Sequence, residues 1–89
     1  MTKSVSEVIK EAKAVAITAV EGCPAKTYAD MTSLLEDVIS LAPLMNQDFL
    51  GTINEILKEV FEAQKIDDLA KIYDFLNFEL VYVLENFKK

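Results

Sequence analysis

Phe49-Leu50-Gly51-Thr52-Ile53-Asn54-Glu55-Ile56-Leu57-Lys58-Glu59-Val60-Phe61-Glu62 is the stretch that decides the fold class. Phe49, Leu50, Ile53, Ile56, Leu57, Val60 and Phe61 recur at steps of one, three and four. A helix turns about 100° per residue, so these steps collect them on one stripe, whereas a strand would need strict alternation. Glu55, Lys58, Glu59 and Glu62 fall on the other face, and Asn46 or Asp48 is placed to cap the start. Gly51 costs about 1 kcal/mol against Ala inside a helix. Either a close helix crossing or a place near the helix end accounts for it.

The same periodicity extends towards the N-terminus. Ser4 and Glu7 form a capping box, and Val5, Val8, Ile9, Ala12, Val15, Ala16, Ala19 and Val20 follow as one stripe, with Ile17 opposite. Gly22 is a helix stop, because glycine takes the left-handed conformation without a Cβ penalty. A second helix is predicted to begin between Pro24 and Thr27, its buried face formed by Tyr28, Met31, Leu34, Leu35, Val38, Ile39 and Ala42. Pro43 disfavours helix at Ala42, so this element is expected to end at Leu41. Leu44 and Met45 then lie in an apolar connection.

The last helix is expected to start after Lys65-Ile66, with Asp67 as cap, and to run almost to the end. Leu69, Ile72, Tyr73, Leu76, Leu80, Val83, Leu84 and Phe87 make one stripe; Phe75, Phe78 and Tyr82 make a second, rotated away from it. A helix apolar on two sides has to be covered on two sides. Asp74, Asn77 and Glu79 are read as the wet seam between the stripes. Four helices joined by short turns predict an all-α, up-down antiparallel bundle, a single domain over residues 1–89.

Composition narrows the function. Of 89 residues, 52% are hydrophobic and 27% charged, which excludes disorder and leaves apolar surface for an interface. All nine basic residues are Lys, and the net charge is −6, so no nucleic-acid partner is expected. No apolar run approaches the ~20 residues of a membrane span. Cys23, the lone cysteine, suits a reducing compartment, and a cytoplasmic location is expected. Its side chain is read as a small, semi-buried hydrophobe.

Chemistry is limited by what is missing. Without His there is no Ser-His-Asp or Cys-His nucleophile system and no Glu-x-x-His di-iron signature. Gly22 and Gly51 are isolated, so no phosphate loop forms. The carboxylates Glu55, Glu59 and Glu62, and Asp67 with Asp68, read as a solvated helix face and a cap. No catalytic residue, cofactor or metal is expected.

The segment Asp67-Asp68-Leu69-Ala70-Lys71-Ile72-Tyr73-Asp74-Phe75-Leu76-Asn77-Phe78-Glu79-Leu80 resembles the final helix of small acidic all-helical proteins of Gram-positive bacteria. Their pattern has Glu-Tyr-Glu where this chain has Asn77-Phe78-Glu79. The resemblance covers about a quarter of the chain. It implies a helical protein of unassigned function and transfers no catalytic residue.

Two functional expectations follow from the apolar surplus and the two-sided last helix. The first is a non-enzymatic interaction module that binds a protein partner through Phe75, Phe78 and Tyr82 and forms a homodimer. The second is a binder of a small apolar ligand between helices, near Met31, Met45 and Phe78.

Overall fold

Ser4 accepts from the backbone N–H of Glu7 while the Glu7 carboxylate accepts from that of Ser4, each at 3.1 Å, and the first helix starts there. The computed structural model describes residues 3–89. Helix α1 spans Val5–Val20. It ends in a Schellman motif: Gly22 sits at φ +74, its N–H donating to the Ala19 carbonyl and that of Cys23 to the Thr18 carbonyl.

Helix α2 spans Pro24–Ser40, with Pro24 in the first turn, where its missing N–H costs nothing. The earlier of the expected starting points is the one used, and Thr27 lies inside the helix. Its hydroxyl lies 2.7 Å from that of Thr18, and both are buried, joining α1 to α2 beside the turn. Each hydroxyl has a single proton, so one donates to the other and the accepting one donates to its own carbonyl, Val15 for Thr18 or Cys23 for Thr27, and neither is stranded. A short 3-10 turn at Ala42–Leu44 leads to Met45, which is buried.

Helix α3 spans Phe49–Lys65. Neither expected cap acts as one. Asp48 occupies the capping position without a side-chain bond, and Asn46 Oδ1 instead accepts from the Asp48 N–H at 3.0 Å. Gly51 lies near the helix start, and a Cβ built there meets nothing within 4 Å, which removes the close-crossing explanation. Gly51→Ala is therefore expected to raise the unfolding free energy by about 0.5–1 kcal/mol in a denaturant titration.

At the end of α3 the expected cap of the last helix turns out to be two residues with two duties. Asp67 takes the left-handed position at φ 53, closing α3 with N–H bonds from Asp67 to Gln64 and from Asp68 to Ala63. Asp68 is the cap of the next helix, accepting from the Lys71 N–H at 3.1 Å. Aspartate is among the few residues that tolerate the left-handed well, which lets it stand where glycine is usual.

The last helix, α4, is built of three consecutive segments: Leu69–Asp74 (α), Phe75–Glu79 (π) and Leu80–Asn86 (α). The Leu80 N–H donates to the Phe75 carbonyl, the i→i+5 bond of a π turn, while the torsions at Asp74, Phe75, Glu79 and Leu80 stay right-handed helical. Ile72, Leu76, Leu80 and Leu84 are all buried at constant spacing of four. In a uniform α-helix that spacing drifts about 40° per step, so Leu84 would stand about 120° from Ile72. The wider π turn takes up nearly one residue's rotation and keeps the four in line.

The helices form an up-down antiparallel bundle. α4 lies between α1 and α3, and α1 lies between α2 and α4, whereas α2 and α3 approach less closely. Phe49, Met31, Leu34, Leu41, Met45 and Ile53 are the largest side chains sealed inside, together with the four aligned residues of α4. The tail is strapped to the α2–α3 connection: Asn46 N–H donates to the Phe87 carbonyl and Lys89 N–H to that of Leu44. The Cα radius of gyration, 12.1 Å, equals the ~12 Å of a closed domain of this length.

Several side chains expected inside lie outside. Val20 is exposed at the end of α1, Leu50 at the start of α3, and Ile39 and Phe61 face the gap where α2 and α3 diverge. Periodicity marks an apolar stripe but not which neighbour comes close enough to cover it. Cys23 is exposed, because the Gly22 turn and Pro24 place it on the outside of the α1–α2 corner.

Candidate functional site

The second stripe of α4 reaches the surface beside α3. Phe78 is 58% exposed and Tyr82 62% exposed, while the opposite side of the same helix is sealed in the core. Between α3 and α4 runs an open groove of about 820 Å³, with buried Ile56 and Val83 at its base and half-buried Phe75 and Phe87 in its walls. Phe78 and Tyr82 stand at its mouth. Of the three interface residues expected from sequence, Phe78 and Tyr82 are thus outward and Phe75 is part of the wall. All three border one groove.

The π turn shapes this face. Tyr73 and Phe78 meet edge to face, ring centroids 5.9 Å apart at 89°. Residues five apart stand about 140° from each other on an α-helix, too far to stack. The wider turn brings them together and fixes the Phe78 ring before any partner arrives, worth about 0.5–1.5 kcal/mol as an aromatic pair. Asn77 Nδ2 donates to the Tyr73 hydroxyl at 3.3 Å and steadies the other ring of the pair. π turns interrupt helices preferentially at functional positions.

Charge surrounds the apolar base unevenly. Glu55 and Glu59 on α3 and Glu79 on α4 border the groove, against a single bordering Lys58. Glu59 is paired with Lys71 at 3.4 Å, a bond that ties the two walls together near the α3–α4 turn. Glu55 and Glu79 are exposed and have no ion-pair partner among the described residues. On α4, Asp74 and Glu79 are exposed and Asn77 between them is half-buried, as the polar seam expected between the two stripes requires.

Two other polar clusters lie elsewhere. Lys3 bridges Glu11 at 3.1 Å and Asp37 at 3.0 Å, tying the start of α1 to the end of α2. Burial and the hydrogen bond to Asp37 push the Glu11 carboxyl up, while Lys3 and then Glu11 hold Asp37 down. Glu11 Oε2 is buried with no donor while both acids are ionised, and a proton on it would serve Asp37. This is a structural tie between helices.

Across the α2–α3 gap, the Tyr28 hydroxyl donates to Asp67 Oδ1 at 2.7 Å. Burial first and the Asp67 carboxylate second push the phenol up to about 12. The fold therefore favours the neutral phenol. Its contribution to stability is intact below pH ~10, the unfolded value, and lost as pH rises through about 12. Absorbance titration of the phenolate is expected to show one of the three tyrosines ionising late, and Tyr28→Phe to remove that late step.

The small-ligand site expected around Met31, Met45 and Phe78 is not assembled. Met31 and Met45 are buried in the core, Met31 bordering the α2–α3 gap, whereas Phe78 is on the α3–α4 surface. Among the described residues there is no cluster of three or more metal-ligating side chains, and no helix is long and apolar enough to cross a membrane. No protein-family model, curated protein or solved structure matches the chain.

Proposed function

We propose that the chain is a non-enzymatic interaction module that seats an apolar helical face of a protein partner in the α3–α4 groove. The observation carrying this reading is the exposure of Phe78 and Tyr82 over an apolar base, on a helix whose other side is already filled by the core. Large aromatics at a groove mouth are the residues that concentrate binding energy when a partner excludes water from them. The groove runs about 10 Å along α3, from Thr52 to Glu59, and about 18 Å along α4, from Phe75 to Phe87. Two to three turns of helix fit that length.

A second copy of the chain is the competing occupant, favoured by the 52% apolar content of so small a protein. A small apolar ligand is a further reading, since 820 Å³ lies within the ~300–1,000 Å³ of ligand sites. The groove's open length, with an apolar base and charges only along its rims, fits an elongated occupant better.

Phe78→Glu is expected to cost about 1 kcal/mol in a denaturant titration, as an exposed aromatic pair would. The same variant is expected to abolish binding of a Leu-ridged helical peptide and any self-association seen by light scattering. A loss of 3 kcal/mol or more would mean that this face is core, and the docking reading would fall. A wild-type dimer that Phe78→Glu converts to a folded monomer would identify the second copy as occupant.

A further inference from the structure

Resting on the docking reading above, we infer that the occupant of the α3–α4 groove is a basic amphipathic helix: an apolar ridge flanked on both sides by Lys or Arg. The two rims of the groove are complementary in charge to such a helix. Glu55 stands on one wall and Glu79 on the other, both exposed and neither in an ion pair among the described residues. Glu59 on the α3 wall is already engaged by Lys71. An apolar ridge laid between the walls meets Ile56, Phe75, Phe78 and Val83, and its flanks come level with a carboxylate on each side. Cations at the ridge's edges would complete both pairs, and the aliphatic stems of Lys or Arg would cover the Phe78 and Tyr82 rings.

The same geometry disfavours a second copy. Two chains docked face to face would bring two acidic rims together, each chain carrying a net charge of −6 and offering one Lys58 against Glu55 and Glu79. Like charges across an interface suppress the wrong partner and complementary ones speed the right one.

The test uses the whole chain and two synthetic helical peptides of about 14 residues. They share one Leu ridge at i, i+3, i+4 and i+7 and differ only in flanks of Lys or of Glu. Calorimetric titration is expected to show the Lys-flanked peptide binding, more weakly as salt is raised. Glu55→Lys with Glu79→Lys is expected to weaken it about tenfold and to confer binding of the Glu-flanked peptide, two exposed pairs having been lost and reversed. Glu21→Lys with Glu36→Lys, an equal change of net charge at exposed positions that do not border the groove, is expected to alter affinity no more than about twofold.

Equal weakening by both double variants would overturn the inference, because general acidity rather than the rim would be attracting the peptide. So would preferential binding of the Glu-flanked peptide by wild type, or a wild-type dimer that the Lys-flanked peptide does not dissociate. In these cases sensitivity to Phe78→Glu would still uphold the groove as a docking site. Binding of either peptide that is indifferent to Phe78→Glu, or no binding by a monomeric wild type, would remove the docking reading and this inference together.

Discussion

Phe49→Ala is expected to lower the unfolding free energy by about 3–5 kcal/mol. Phe49 is the first residue of α3 and is fully buried. It is packed where α3 enters the bundle next to Met45, at the end of the molecule closed by the strap between Asn46 and Phe87. Truncation removes a ring's worth of apolar burial and leaves a cavity that the strapped connection is poorly placed to fill. A domain of this size has only about 4–13 kcal/mol in total, so the loss is a large share of it. Calorimetry should show the melting temperature falling by at least ~12 °C. A shift of only a few degrees would show that the strap and the start of α3 are loosely packed.

The second large effect concerns the π turn, and its sign is unusual. Removing one residue from the middle of a helix ordinarily rotates everything beyond it by about 100°. Deletion of Asn77 is expected to be tolerated, within about 1 kcal/mol of wild type, because Phe75–Glu79 already carries one residue more than an α turn. After the deletion Ile72 and Leu84 are eleven residues apart, about 20° from alignment in a uniform α-helix, and the buried row survives.

Deletion of Tyr82 is relieved only in part: with the π turn kept, Val83 and Leu84 swing about 100° out of the core, and with it relaxed to α, Leu80 stands about 80° from Ile72 instead. Either way buried aliphatic side chains leave the core, at about 2 kcal/mol or more each. That variant is expected to lose its cooperative melt. Far-ultraviolet melting curves of the two deletions decide the matter. Equal damage from both would contradict the assignment of an extra residue to the π turn.

Much of this fold is legible in the sequence for local reasons. Ser4 with Glu7, and Gly22 before Pro24, are start and stop signals whose chemistry acts within a few residues, and both hold in the structure. The three-and-four spacing of α3 marks its buried Phe49, Ile53, Ile56 and Val60 correctly. The two-sidedness of α4 is also legible, because no single neighbour covers two stripes.

What escapes is decided over longer range or by near-degenerate choices. Ile39 and Phe61 lie on apolar stripes, yet the divergence of α2 from α3 leaves them half-exposed, and nothing in either helix alone announces that distance. Asp67 and Asp68 are both competent to cap. The hydrogen bond from Tyr28, far away in sequence, accompanies Asp67's place as the stop of α3. The π turn does leave a trace, the unbroken spacing of four through Ile72, Leu76, Leu80 and Leu84. That trace is misread when a uniform helical period is assumed. The groove itself depends on how α3 and α4 splay, so sequence marks Phe75, Phe78 and Tyr82 as a face but not the hollow they border.

The docking assignment is tested most directly by mapping backbone-amide shifts of the ¹⁵N-labelled chain during titration with the Lys-flanked helical peptide. Expected are shifts concentrated on Thr52, Ile56 and Glu59 of α3 and from Phe75 to Phe87 on α4, with α2 and the outer face of α1 silent. Shifts spread over the acidic surface, centred on Ile39 and Phe61, or absent at saturating peptide would contradict it.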